Sequence, residues 1–104
     1  MIGWNKYQVE CQEKCWETVE KIESKDASAG DYLSDIQDYR FTVDSNKQYI
    51  GAHILIASGD INIWIHTIEK RVYAKHLKGC LMDQAYFDDN LGVCNYMKQL
   101  YKSI

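Results

Sequence analysis

The chain contains no proline in 104 residues, so no turn relies on a fixed φ and no X–Pro bond is available to isomerise. Glycine is sparse, with six residues, and none sits in a phosphate-cradling loop, a dinucleotide fingerprint or a nucleophile elbow. Carboxylate dyads of the glycosidase or aspartic-protease kind are also missing. No long apolar run occurs: the richest stretch, Ile50 to Ile65, is broken by His53, Ser58, Gly59, Asp60 and Asn62, which argues against a membrane span. No positively charged leader with an apolar segment opens the sequence, so the expectation is a cytoplasmic protein, in a host cell if the chain is foreign to it. Cys11, Cys15, Cys80 and Cys94 are then free thiols in a reducing compartment. These absences direct attention to binding and away from catalysis.

The composition that remains is that of a folded domain. Apolar residues make up 46% and charged residues 26%, with eight tyrosines and three tryptophans, far from a disordered composition. A chain of this length carries one compact domain, residues 1–104, and buries a core without staples. The net charge of −3 is unevenly spread. Residues 1–46 hold ten acids against five bases and residues 47–104 hold five acids against seven bases. Direct nucleic-acid binding is disfavoured, because phosphate neutralisation needs clustered Lys and Arg. A basic protein partner fits better.

Periodicity divides the chain into helix, sheet and helix. Trp4, Tyr7, Cys11, Cys15, Val19 and Ile22 recur at three- and four-residue intervals, and Glu10, Glu13, Glu17 and Glu20 follow the same spacing on another face. This predicts an amphipathic helix over 5–24, with Asn5 as its cap. After a loop at 25–30, Asp31 is placed to cap a short helix through Tyr32, Leu33 and Ile36. From Tyr39 the period falls to two, giving strands around Tyr39–Val43, Ile50–Ile56 and Ile61–Ile65, and a fourth at Val72–Leu77. A turn at Ser58-Gly59 sets Ile54 against Ile63 and Ala52 against Ile65, with the isoleucines on one face. The preceding loop sets Phe41 against Ala52 and Val43 against Ile50. At Glu69-Lys70 one phase pairs Thr67 with Val72 and Ile65 with Ala74; the other turns Arg71 and Lys75 into the core, where unpaired charge is costly. The first is preferred.

A loop is expected from Lys78 to Phe87, then a final helix capped by Asp88-Asp89 with Val93, Met97, Leu100 and Ile104 as its stripe. The fold class is α+β: an antiparallel meander of three or four strands with an N-terminal and a C-terminal helix packed on one face.

Three groups of residues are candidates for function. The open sheet face gathers Arg40, Thr42, His53, Leu55, Asn62, Trp64, His66, Tyr73 and Lys75, a mixture suited to contact. His53 and His66 lie close on adjacent strands, but no carboxylate orients them, and they read as ordinary surface histidines. Cys11, Cys15, Cys80, Cys94 and His76 supply metal-ligand chemistry without a Cys-x-x-Cys pair, and the first two lie on the apolar stripe, as buried thiols do. The acidic row Glu10, Glu13, Glu17 and Glu20, continued by Asp26, Asp31, Asp35 and Asp38, is a candidate mimic of a phosphate track for a basic channel on another protein, set against the plain reading of a solvated helix face.

The run Ala57 to Thr67 (Ala-Ser-Gly-Asp-Ile-Asn-Ile-Trp-Ile-His-Thr), the Val72-Tyr73 pair, Ala85-Tyr-Phe-Asp-Asp89 and the ending Gln99-Leu-Tyr101 together resemble small phage and mobile-element proteins. Ser58, Asp60 and His66 depart from the pattern. The resemblance implies an inhibitor of the anti-CRISPR or wider anti-defence type, acting by stoichiometric obstruction of a host nuclease complex, with no cofactor and no turnover. Two rival readings follow from the residues themselves. One is a small metal- or ligand-binding domain using cysteine and histidine; the other is a regulatory subunit that homodimerises through Leu55, Trp64 and Tyr73.

Overall fold

The computed structural model describes residues 6–24, 28–34, 36, 38–77 and 81–104, with backbone alone at 81–83. Its elements run α1 (Lys6–Glu23), α2 (Ala29–Tyr32), β1 (Asp38–Val43), β2 (Tyr49–Ala57), β3 (Ile61–His66), β4 (Arg71–His76), β5 (Leu81–Tyr86) and α3 (Val93–Lys102). The five strands lie in the order β1-β2-β3-β4-β5, every neighbouring pair antiparallel. The expected α+β meander is therefore present, with one strand more than the alternation indicated. Residues 81–86, read as loop from the sequence, form that fifth strand. The proposed Asn5 cap, Trp4, Asp26, Asp35 and Cys80 lie outside the described residues.

Helix α1 forms because its apolar positions fall on one stripe. Cys11, Cys15 and Ile22 are wholly buried and Val19 almost so, and the stripe packs over β4 and β5. Helix α3 lays Val93 and Met97, both at 0% exposure, over β2. Both helices meet the same sheet face, where Ala52, Ile54, Ile63, Ile65, Val72 and Ala74 complete one core cluster. Burying a Leu- or Ile-sized side chain contributes about 1.5–3 kcal/mol each, so this single cluster outweighs the local preferences of any element.

The helix ends are tied by particular groups. Asp89 accepts hydrogen bonds from the amides of Gly92 (3.0 Å), Val93 (2.7 Å) and Cys94 (2.8 Å), the expected acidic cap of the last helix. Ile104, assigned to that helix's apolar stripe, is instead 85% exposed, because α3 stops at Lys102. The short helix is capped by Ser28, whose hydroxyl accepts from the Asp31 amide at 3.1 Å. Asp31 sits within the first turn and is not the cap. The C-terminus of α1 is fastened to the approach to α3: Glu23 accepts from the Asp88 amide at 2.9 Å, and its carbonyl from Asn90 Nδ2 at 3.0 Å.

The faces of the sheet follow the predicted phase, but the register is displaced. Ile54 pairs with Ile65, where Ile63 was expected, and Ile65 pairs with Val72, where Ala74 was expected. A two-residue displacement preserves every side chain's face, so the core composition survives it. The cause lies in irregularities that alternation does not reveal. A register shift falls between Leu55 and Ala57, and residues 67–70 form the connection between β3 and β4, with Lys70 at φ 54°. In the first hairpin Phe41 meets Ala52 as expected, while Val43 meets Tyr49 through a second shift between Thr42 and Val43. Gly51 is required by a close approach: a Cβ there would come within 2.1 Å of Ile68 Cγ1 and 3.1 Å of Thr67 Oγ1.

Candidate functional site: the open sheet face and the acidic face of α1

Both helices occupy one side of the sheet, and among the described residues no helix lies on the other. Pairing sets the open face in rows. One row reads Arg40–His53–His66–Arg71–Tyr86 and the next Asp38–Leu55–Trp64–Tyr73–Gln84. Asn62 pairs with Lys75, and Thr42 with Gly51. The residues assigned to this face by alternation are thus brought together. Helix α2, a possible cover for the face, packs instead toward α3.

A polar aromatic network organises one half of the face. The His53 and His66 rings stack, centroids 4.0 Å apart and planes 9° from parallel, and the Tyr73 ring leans on His66 at 4.4 Å. Tyr73 donates to Glu69 Oε2 at 2.7 Å. The Arg71 guanidinium lies over the Tyr86 ring at 4.5 Å, donates to the Tyr86 hydroxyl, and reaches Gln84 Oε1 at 3.1 Å and Tyr73 Oη at 3.3 Å. Glu69 stands 3.7 Å from Arg71. Its carboxylate is held below the usual carboxylate range chiefly by the Tyr73 hydroxyl, and that bond raises Tyr73 in turn. His66 is held below its ordinary value of 6.5, first by burial and then by His53. This half of the face is accordingly tied together by hydrogen bonds and ring contacts, and the side chains of Glu69, Arg71 and Tyr73 are restrained before any partner arrives.

The acidic residues of α1 have divided roles. Glu10 Oε2 pairs with His76 Nε2 at 3.3 Å, on the helix–sheet side of the molecule, while Glu17 pairs with Lys14 at 3.3 Å. Glu13 and Glu20 are exposed and, among the described residues, make no ion pair. Between them stands Trp16, 54% exposed. Gln12, Glu13, Trp16, Glu17 and Glu20 line one shallow groove, and Glu17, Thr18, Glu20, Lys21, Ser24 and Tyr32 line its neighbour. Asp31 is exposed on α2, whereas Asp38, grouped with the helix acids from the sequence, lies on β1 in the Trp64 row of the open sheet face.

The cysteines are not assembled into a centre among the described residues. Cys11 and Cys15 are in the core, with the Cys15 thiol directed at the Val72 carbonyl at 3.8 Å. Cys94 on α3 meets the Thr67 carbonyl at 3.6 Å, and burial, followed by Asp89, pushes its thiol up to about 12. No three His, Cys, Asp or Glu side chains are grouped to hold a metal ion among the described residues.

Sequence reasoning passed over Trp16, Glu69, Gln84 and Tyr86. An aromatic set among glutamates on the polar side of a helix was the available signal for Trp16. Gln84 and Tyr86 were hidden with the strand that carries them, and Glu69 was counted only as a turn residue. No helix among the described residues is long and apolar enough to cross a membrane. The chain matches no protein-family model, no curated protein and no solved structure.

Proposed function

We propose that the chain is a non-enzymatic inhibitor that binds a host defence nuclease, a CRISPR effector being the expected kind, and obstructs its handling of nucleic acid. The contact in this reading is the acidic face of α1. The observation that carries it is Trp16, half exposed between Glu13, Glu17 and Glu20. A large rigid aromatic side chain is the commonest energetic anchor of a protein interface. Carboxylates around it, of which Glu13 and Glu20 make no ion pair among the described residues, complement a basic, nucleic-acid-binding surface and speed association with it. The sheet face, with Trp64, Tyr73 and His66, is the second contact surface. The Arg71 network favours it, because restrained side chains lose little entropy on docking.

The test is binding of the purified chain to purified CRISPR effector complexes, with a plasmid-interference assay in parallel. Stable co-elution together with lost interference is the expected result. Combined replacement of Glu13, Glu17 and Glu20 by Lys, with Trp16→Ala made separately, should each weaken the complex by roughly tenfold or more. Normal affinity in both variants, with loss in Trp64→Ala, would move the contact to the sheet. Absence of binding and of interference loss across effector types would reject the inhibitor reading.

A further inference from the structure

We infer that His53 and His66 form a cross-strand chelating pair for a divalent transition-metal cation of the zinc, nickel or copper(II) class. The site lies on the opposite side of the sheet from α1 and does not rest on the inhibitor reading.

The two residues are direct register partners on β2 and β3. Their rings are 4.0 Å apart at the centroids and within 9° of parallel, so corresponding ring edges are separated by about the same distance. A cation of this class binds each imidazole nitrogen at about 2.0–2.1 Å along the lone pair in the ring plane, so two such bonds at a tetrahedral or square angle need nitrogens about 3 Å apart. In the stack the in-plane lone pairs run parallel, so both rings turn about their side-chain torsions until the lone pairs converge, and the register pairing keeps both side chains within reach of one cation as they do.

Two features favour occupancy. The strand ladder fixes both Cα positions in advance, so ligation orders little that is not already ordered. Both histidines remain partly exposed, leaving room for water in the other coordination positions. Imidazole nitrogen selects zinc, nickel and copper over calcium and magnesium, which take oxygen ligands.

The flanking cations oppose binding only in part. Arg71 pairs with His66 in the ladder, but its guanidinium is turned to Tyr86 and Gln84 and stands 3.7 Å from the Glu69 carboxylate, which offsets its charge. Arg40 pairs with His53 and is exposed to solvent on β1, where water screens it.

Calorimetric titration of the full chain with Zn2+ and with Ni2+, after chelator treatment, tests the site. One equivalent should bind and raise the melting temperature, with chelator reversing the shift. His53→Ala and His66→Ala should each weaken binding at least tenfold, and circular dichroism should show both folded. If either fails to fold, His53→Gln and His66→Gln replace them. Side-chain imidazole resonances of His53 and His66 should move on metal addition while those of His76 stay in place. Absence of binding, or binding unchanged in both histidine variants, would overturn the inference, the second outcome directing the metal to the thiols.

Discussion

His76, almost fully buried on β4, meets the Glu10 carboxylate of α1 across the helix–sheet boundary, Nε2 to Oε2 at 3.3 Å. The Tyr7 ring lies 4.4 Å from the same imidazole. A polar side chain in that position needs compensation, and Glu10 supplies part of it from the rim of the core. Glu10 therefore has a structural task that Glu13 and Glu20 lack.

Glu10→Ala should consequently lower stability by about 1 kcal/mol, the scale of a charged hydrogen bond at a partly exposed rim. Glu13→Ala should leave stability almost unchanged. Urea denaturation of the two variants checks the contrast, and equal losses in both would contradict the assigned task of Glu10.

Cys94 provides a dependence on pH. Its thiol is pushed up from 9.0 to about 12 in the folded chain, by burial first and then by Asp89. Above pH 9 the unfolded chain releases this proton while the folded chain keeps it, so the folded state binds more protons and stability falls as pH rises. The contribution of Cys94 is complete below pH 9 and declines between 9 and about 12. Comparing wild type with Cys94→Ala under reducing conditions, by denaturation at pH 7.5 and pH 10, isolates this group from the tyrosines and lysines. The stability gap between the two proteins should narrow at the higher pH; a constant gap would contradict the assignment.

Gly51→Ala should destabilise the fold by about 1–3 kcal/mol, the usual penalty for forcing volume into a packed site. The added Cβ meets Ile68 at 2.1 Å and the buried Thr67 hydroxyl at 3.1 Å, and that hydroxyl already accepts the Ala52 amide at 2.8 Å. Ile68 is exposed and able to give way, whereas Thr67 is not. The double variant Gly51→Ala/Ile68→Ala should therefore recover part of the loss. Thermal melts of the single and double variants decide the matter.

The sequence was legible where one face of an element is plainly apolar. The stripe Cys11, Cys15, Val19 and Ile22 located α1, and the isoleucines of β2 and β3 fixed which side of the sheet is buried. What alternation supplies is phase, and phase is unchanged by a displacement of two residues. Ile54 thus landed on the correct face opposite the wrong isoleucine. The fifth strand escaped because its pattern conflicts with its place: Asp83 pairs with Ala74, where an apolar residue would be expected, and Met82 and Tyr86 fall in the alternate phase.

The same limits governed the candidate site. His53, His66, Trp64 and Tyr73 were correctly grouped because alternation alone assigns a face. Their organisation by Glu69, Arg71 and Tyr86 depends on strand neighbours, which become known only with the fifth strand in place. On α1 the acids were visible as a row, but Glu10's bond to His76 links positions remote in sequence, and spacing carries no information about such a pair.

The meander leaves β1 at one margin of the sheet, and a marginal strand offers unpaired backbone groups on which another extended chain can add. This margin is poorly suited to that use. Asp38 and Arg40 place charge along it, and the bulge at Ile50, where β2 meets Thr42 and Val43, is a feature that twists a marginal pair out of flat alignment. Charge along a marginal strand together with a bulge in its pairing is the combination by which sheet edges resist edge-to-edge addition.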